Sequence, residues 1–335
     1  MDTATKTKIL EQINAGRIHK ENGFCEIPTS FFVEKIDMNM PQLPPVAFFQ
    51  KGKNGQLEEF RKAGEPYSAL ALSLRPTVWV REQDFNDVRN YAEHMLIEPS
   101  TAPGLQPEQR MESIRRSAML VVEDLFENPS QENITRSVKV VGSFVHILMK
   151  EPKAYLFLAK LSSHDPYTLQ HSVGTAVHSI ILGKKLGMTD EKELQELGLG
   201  GLLHDVGKVK VKKEIINKNG PLDELEWEEM RQHSLEGYEI VKDKTNISDL
   251  SKRAILEHHE NPDGSGYPHN LKRADIHPYS RIVCICDVFN ALTTSRSYSN
   301  ARSPFDAFQF MREKLEHKVD ENLFRELVLI YGGKI

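Results

Sequence analysis

The sequence has few cysteines, no long apolar run and no excess of positive charge. Its three cysteines, Cys25, Cys284 and Cys286, form no Cys-x-x-Cys pair and suggest no disulfide framework, which favours a reducing compartment. No stretch reaches the roughly 18 apolar residues of a membrane span, and the N-terminus lacks the apolar core of a signal peptide. The net charge of −5 argues against a broad basic surface for nucleic acid. We therefore expect a cytoplasmic protein with no membrane span and no DNA partner.

The chain divides into two parts of different character. A length of 335 residues favours two domains. The β-branched and aromatic runs SFFVEKI, PVAFFQK and TVWVRE are separated by Pro- and Gly-containing stretches. EPSTAPGLQPEQ is typical of a linker, and beyond it apolar residues recur every three or four positions. These patterns predict a mainly α protein, with a small α+β domain at 1–98, a linker at 99–109 and an all-α domain at 110–335.

The helical part contains histidines and aspartates where a free polar side chain is costly. In LLHDVG, for example, Leu202, Leu203 and Val206 would bury the turn around the His-Asp pair. Imidazole and carboxylate ligands suit iron, manganese or zinc, while the lack of nearby thiolates argues against a structural zinc site. The candidate metal ligands are His171, His204, Asp205, His233, His258, His259 and Asp287.

Seven ligands are too many for one ion with open positions, but they suit two ions that share a bridge. Asp205 is the natural bridge, because a carboxylate can give one oxygen to each ion and an imidazole cannot. Two neighbouring ions favour hydrolysis of a phosphate ester, since they activate water and hold the attacking and leaving oxygens. Plainer explanations stay open for single residues: His258 and His259 also suit a solvated helix end, and His178 suits core packing.

Four stretches resemble the HD-GYP family, which belongs to the HD superfamily of metal-dependent phosphohydrolases. They are HDVGK, NKNGPLDELEWEEMRQHSLEGYEI, HHENPDGSGYP and SRIVCICDVFNALTTSRSY, and the resemblance spans roughly residues 110 to 310. It implies an all-α HD-type domain that hydrolyses cyclic di-GMP to pGpG or GMP with two divalent ions, iron or alternatively manganese. It also implies two ligand sets that share Asp205: one adds His171, His204 and Asp287, and the other adds His233, His258 and His259.

The resemblance extends to residues around the metals. Lys208 is near enough to meet a phosphate oxygen and to stabilise charge in the transition state beside Asp205, and Arg296 resembles a phosphate contact of the family. A surface salt bridge is the plainer explanation for each. Tyr267, in the DGSGYP loop, either orients the loop or contacts substrate. In the family this loop is linked to diguanylate cyclase domains, so a cyclase is an expected partner.

Several positions depart from the family pattern without removing a ligand. Tyr167 replaces a glutamate that in some relatives recruits a third metal, so we expect a two-metal site. Other departures lie around the substrate and the loop, at Asn261, Pro262, Ser234, Ser297 and Asn290. They leave two alternatives open: a weakly active or inactive receptor of cyclic di-GMP, and an enzyme for another cyclic dinucleotide.

Overall fold

The computed structural model describes residues 19–29, 44–52, 54–65, 72, 74–88, 91, 107–151, 154, 167–218, 220–294 and 301–332. The chain forms two compact units, Met1–Thr101 and Ala102–Ile335. The strand predicted in SFFVEKI lies outside the described residues. Within the described helices, none is both long and apolar enough to cross a bilayer.

The first unit contains a five-stranded antiparallel sheet in the order β1-β2-β5-β3-β4. Its strands are β1 (Lys20–Glu21), β2 (Phe24–Pro28), β3 (Phe48–Lys51), β4 (Leu57–Arg61) and β5 (Thr77–Arg81). The strands predicted in PVAFFQK and TVWVRE are therefore confirmed as β3 and β5.

The Asn22-Gly23 turn joins the first two strands. Both residues have positive φ, 51° and 78°, as tight hairpin turns require. Ala47, Phe49 and Trp79 form a hydrophobic cluster on the sheet, with Phe24 and Leu57 packed against it.

The second unit is helical, as predicted, with eleven α-helices among its described residues. They are α1 (Pro107–Glu127), α2 (Gln131–Lys150), α3 (Tyr167–Lys185), α4 (Glu191–Leu203), α5 (Lys213–Ile216), α6 (Glu224–Arg231), α7 (His233–Val241), α8 (Asp249–Glu257), α9 (Pro278–Thr293), α10 (Pro304–Lys314) and α11 (Glu321–Tyr331). A 3-10 helix, Val206–Lys210, follows α4. Helix α1 begins at Pro107, so it includes the last three residues of the predicted linker; proline suits a helix's first turn because its missing N–H has no partner there.

Five helices, α3, α4, α7, α8 and α9, surround the part of the unit that holds the candidate ligands. Helix α4 packs against α3 and α8, and α9 packs against α3, α4 and α8. Helix α7 lies against the 3-10 helix and α8. Apolar side chains recur at helical spacing on these buried faces; Leu194, Leu197 and Leu202, for example, are fully buried on α4.

Candidate metal centre

Most of the seven predicted ligands lie at helix ends, where the backbone changes direction. His204 and Asp205 connect α4 to the 3-10 helix, and His233 is the first residue of α7. His258 follows the last residue of α8 and begins the turn that continues through His259. The other two ligands are His171, in the second turn of α3, and Asp287, in the middle of α9. Six of the seven are buried, and His259 is half-buried.

The structure brings the seven side chains together in two adjacent groups. His171, His204 and Asp205 form one group, and His233, His258 and His259 form the other. Asp287 joins the first group, because its Oδ1 lies 2.9 Å from His171 Nε2 and 3.8 Å from His204 Nε2.

Asp205 presents one oxygen to each group. Its Oδ2 lies 3.3 Å from His204 Nε2 and 3.9 Å from His171 Nε2. Its Oδ1 lies 3.5 Å from His233 Nε2, on the side of the second group. This carboxylate therefore has the orientation that a bridge between two ions needs.

Hydrogen bonds fix the tautomer of several histidines. The Nδ1–H groups of His204, His233 and His258 each donate to a backbone carbonyl three residues earlier, at 2.7, 2.6 and 2.7 Å. His171 Nδ1 instead donates to a side chain, Asn290 Oδ1, at 3.0 Å. With Nδ1 protonated in this way, a neutral imidazole turns the lone pair of Nε2 into the site.

The resulting arrangement of lone pairs fits a cation. His233 Nε2 and His258 Nε2 face each other at 3.2 Å, yet both rings already use their only proton on Nδ1. Two acceptors at this distance repel each other unless a positive ion lies near both. His204 Nε2 is also buried and has no hydrogen-bond partner among the described residues. Nitrogen and carboxylate donors without thiolate suit iron, manganese or zinc, so the residues present fit the predicted metals.

Burial keeps the histidines of the second group neutral. It lowers the pKa of His233 to about 4 and that of His259 to about 3, and it holds the pKa of His258 well below its ordinary value. For His259 and His258, repulsion between neighbouring rings would oppose protonation further; for His233, the Asp205 carboxylate partly opposes the effect of burial. Neutral imidazole is the form that binds a metal.

The two aspartates remain ionised despite their burial. Burial by itself would raise the pKa of Asp205, but the charges of His204 and Lys208 outweigh it and hold this pKa well below the ordinary range. The pKa of Asp287 is also lowered, because the hydrogen bond and charge of His171 outweigh burial. In return, the charge of Asp205 raises the pKa of His204 against the effect of burial.

Of the predicted substrate contacts, two lie within the described residues. Lys208 donates to Asp205 Oδ2 at 2.6 Å, and its side chain keeps 23% of its exposure, so it borders both the carboxylate and solvent. The Tyr267 ring stacks on His259 with centroids 4.7 Å apart, and burial raises the pKa of its phenol above the ordinary value. Arg296 lies outside the described residues, as does the side chain of Tyr167.

The acidic residues on either side of the paired histidines support the backbone around the site. Glu257 accepts hydrogen bonds from the Ser280 hydroxyl at 2.8 Å and from the His277 N–H at 3.1 Å, at the start of α9. Glu260 is 1% exposed and accepts the N–H groups of His269 and Leu271, at 2.6 and 2.8 Å. These contacts tie α9 and the Gly-Tyr-Pro loop to the histidine pair. The sequence shows a carboxylate on each side of the histidine pair but gives no indication of their partners.

Asn290 connects the site to His178. The Oδ1 of Asn290 accepts from His171, while its Nδ2 lies 3.5 Å from His178 Nδ1. His178 Nε2 in turn lies 2.6 Å from the Tyr331 hydroxyl. Gly174 leaves room for this amide, since a Cβ at position 174 would lie 2.1 Å from Asn290 Nδ2. His178 thus occupies a packed, hydrogen-bonded position, and burial lowers its pKa to about 4.

Comparison with known proteins agrees with this architecture. Residues 158–323 match the family model described as the HD domain. In overall fold the chain is similar to an HDG"Y"P protein from Bdellovibrio bacteriovorus, with a TM-score of 0.66 at 22% identity, covering 92% of this chain and all of that one. The helical unit thus contains an HD domain, and the HD-GYP resemblance predicted from the motifs of the chain is confirmed.

Curated relatives carry related names. A cyclic di-GMP phosphodiesterase of Pseudomonas aeruginosa is 36% identical over 185 residues, which is 55% of this chain and 44% of the relative. A 3'3'-cGAMP-specific phosphodiesterase of Vibrio cholerae is 28% identical over 287 residues, 82% of this chain and 59% of the relative. A cyclic di-GMP phosphodiesterase of Thermotoga maritima is 34% identical over 192 residues, 55% of this chain and 52% of the relative. The chain thus spans about half the length of these relatives.

Proposed function

We propose that this chain is a metal-dependent phosphodiesterase that hydrolyses cyclic di-GMP to pGpG or GMP. The observation that carries the proposal is the placement of Asp205, with one oxygen facing His204 and His171 and the other facing His233 of the second group. One ion would be held by His171, His204, Asp205 and Asp287, and the second by Asp205, His233, His258 and His259. Iron is the proposed metal, with manganese as the alternative.

The chain's own residues give this chemistry its geometry. Two divalent ions, when bound, polarise the phosphate and make a water molecule a better nucleophile at neutral pH. Asp205 would be a ligand of both ions, and Nδ1 hydrogen bonds hold the imidazoles of His204, His233 and His258 with the lone pair of Nε2 directed inward. Lys208 contributes a positive charge beside Asp205 at the mouth of the site. This charge would stabilise the extra negative charge that develops on the phosphate oxygens.

The names of the relatives support a cyclic dinucleotide as substrate. They include enzymes for cyclic di-GMP and enzymes for 3'3'-cGAMP. The Vibrio cholerae 3'3'-cGAMP enzyme described above aligns with 82% of this chain, against 55% for the Pseudomonas aeruginosa cyclic di-GMP enzyme. A cyclic dinucleotide other than cyclic di-GMP is therefore the second candidate. The proposed roles of Arg296 and Tyr267 in holding substrate, and of the Gly-Tyr-Pro loop in binding a diguanylate cyclase domain, remain predictions.

The test is turnover of a panel of cyclic dinucleotides by protein purified without oxygen, with its metal content counted. Lys208→Met should lower kcat by about 10²- to 10³-fold, the effect of removing one group that stabilises transition-state charge, and should leave the metals bound. Lys210→Met, an exposed lysine two residues further along the same 3-10 helix, is the matched control and should retain full activity. Asp205→Ala should abolish both metal binding and turnover.

Two results would contradict the proposal. Turnover by Asp205→Ala would refute the two-metal mechanism. Full metal occupancy of the wild-type protein without release of product from any member of the panel would favour a receptor instead.

A further inference from the structure

His178 and Tyr331 continue the contact between His171 and Asn290 away from the candidate metal centre. Asn290 Oδ1 lies 3.0 Å from His171 Nδ1, and the amide Nδ2 lies 3.5 Å from His178 Nδ1. The other ring nitrogen of His178, Nε2, lies 2.6 Å from the Tyr331 hydroxyl. Neither His178 nor Tyr331 belongs to the two groups of candidate ligands. Side chains of α3, α9 and α11 thus form one hydrogen-bonded series that ends at a candidate ligand.

The orientation of the Asn290 amide follows from its neighbours. A histidine that binds a metal through Nε2 keeps its proton on Nδ1, so His171 must face the carbonyl oxygen of this amide. The Thr294 hydroxyl also donates to that oxygen, at 3.3 Å. The NH2 group of the amide therefore faces Nδ1 of His178 and can donate to it.

This arrangement selects one tautomer of His178. Burial lowers the pKa of His178 to about 4 against the opposing effect of the Gly174 carbonyl, so the ring is neutral at pH 7 and has one proton. If Nδ1 accepts from Asn290, that proton is on Nε2, which donates it to the Tyr331 hydroxyl. The competing tautomer has its proton on Nδ1, with the Gly174 carbonyl as acceptor, and would turn this N–H toward the NH2 group of Asn290.

Aromatic packing holds the outer members of the series. The His178 ring meets the Phe289 ring edge to face, with centroids 5.3 Å apart, and Phe289 is fully buried. The Tyr331 ring packs against Phe289 and Phe308, with centroids 4.8 and 5.7 Å apart. Because these rings belong to α9, α10 and α11, their packing limits the positions that the Tyr331 hydroxyl can take.

We infer that His178 and Tyr331 are positioning residues for His171. Together they hold the Asn290 amide so that its oxygen faces the Nδ1–H group of His171. Three other candidate ligands need no such support, because backbone carbonyls three residues earlier accept their Nδ1–H groups. Of these four histidines, His171 is thus the one whose orientation depends on side chains from distant helices. The inference rests on the proposed function, in which His171 is a ligand of the first ion.

The hydrogen-bonded series is tested by nitrogen-15 spectra of the imidazole rings, which distinguish protonated from unprotonated ring nitrogens. They are recorded on the full chain, both metal-free and loaded with diamagnetic Zn²⁺, with His178 assigned from the His178→Gln spectrum. The wild type should have the His178 proton on Nε2. Asn290→Asp replaces the NH2 donor by an acceptor and should move that proton to Nδ1. His277 is the internal control, because its Nδ1 accepts the Tyr279 N–H at 3.2 Å and its proton should stay on Nε2.

The effect on the metal centre is measured by competition with a chelator of known affinity, which gives the affinity for each of the two ions. Tyr331→Phe removes one hydrogen bond and should weaken binding of one ion about two- to tenfold, while the affinity for the other ion stays unchanged. A loss confined to one ion distinguishes the positioning of His171 from a general loss of stability. The matched control is Tyr279→Phe, whose lost hydroxyl donates to the Glu193 carbonyl at 3.3 Å; this variant should bind both ions as the wild type does.

The outcomes separate this inference from the proposed function. The His178 proton on Nε2, together with weaker binding of one ion in Tyr331→Phe only, supports the positioning role. A His178 proton on Nδ1 in the wild type, or equal affinities of wild type and Tyr331→Phe, overturns that role while both ions still bind. An equal loss for both ions, or in both phenylalanine variants, would make the effect structural and also overturn it. A wild-type chain that binds no metal would instead refute the proposed metal centre itself.

Discussion

Gly207 lies where the 3-10 helix that follows Asp205 crosses the start of α7. A Cβ at this position would lie 1.9 Å from the backbone oxygen of His233 and 2.4 Å from the backbone nitrogen of Gly237. Both atoms belong to the main chain, so no side chain can rotate to relieve the overlap. Gly207→Ala should therefore force α7, with His233 at its first position, away from Asp205.

The size of the effect follows from these distances. The carbonyl must move by at least about 1.1 Å to bring the contact from 1.9 Å to 3.0 Å, and overpacking of this kind costs about 1–3 kcal/mol. For a unit of this size, that is a fall in Tm of about 2–12 °C. Displacement of one ligand should weaken metal binding by about 10- to 100-fold, in the range measured when the support of a ligand is lost.

The assay compares thermal unfolding and metal affinity of wild type, Gly207→Ala and a matched variant, Gly142→Ala. Gly142 lies within α2, and its added Cβ would meet only the end of the Gln195 side chain, at 3.0 Å. That variant should bind metal normally and be as stable as the wild type or slightly more stable, because alanine is the better helix former. Normal metal affinity and Tm in Gly207→Ala would refute the reasoning.

Three further predictions concern neighbouring features. Gly174→Ala places a Cβ 2.1 Å from the amide nitrogen of Asn290 and so removes that side chain from its histidine partner; metal titration should show about 10- to 100-fold weaker binding, and unchanged affinity would be the contrary result. Glu260→Gln replaces one carboxylate oxygen by an NH2 group, so one of the N–H groups of His269 and Leu271 loses its acceptor. Urea unfolding should show a free energy of unfolding lower by about 1–3 kcal/mol, and unchanged stability would contradict this role of Glu260. His233 and His259 have pKa values of about 4 and about 3 in the folded chain, against 6.5 when unfolded. Below pH 6.5 the unfolded metal-free chain therefore binds more protons than the folded one. The free energy of unfolding should decrease as the pH is lowered, by up to about 1.4 kcal/mol per pH unit for each histidine. The raised pKa of His204 opposes this trend only in part. Equal stability of the metal-free protein to urea at about pH 7 and at about pH 5 would contradict the prediction.

Residue type and local pattern were enough to predict the helical class, and together with the HD-GYP resemblance they indicated the candidate ligands. A histidine or aspartate among leucines needs a partner, as at His204 and Asp205, and this requirement can be read without coordinates. The position of His258 and His259 at a helix end also follows from local sequence, because the glycines and proline of the next stretch cannot continue α8.

The contacts that orient the ligands depend on distant parts of the chain and could not be predicted. Asn290 is 119 residues from His171, and no local pattern indicates their hydrogen bond. The glycine of HDVGK stands out in the sequence, but only the packed structure shows that it faces the backbone of His233. Glu260 stands directly after the paired histidines, but only the structure shows that its carboxylate accepts two backbone N–H groups of the following loop.

The most direct test of the account is anomalous X-ray scattering from crystals of the metal-loaded protein, recorded at the absorption edge of the bound metal. Two peaks are expected with the Asp205 carboxylate between them, one beside His171 and His204 and the other beside His233 and His258. A single peak, or two peaks without a shared Asp205, would contradict the two-metal centre. A third peak near Tyr167 would contradict the predicted count of two ions.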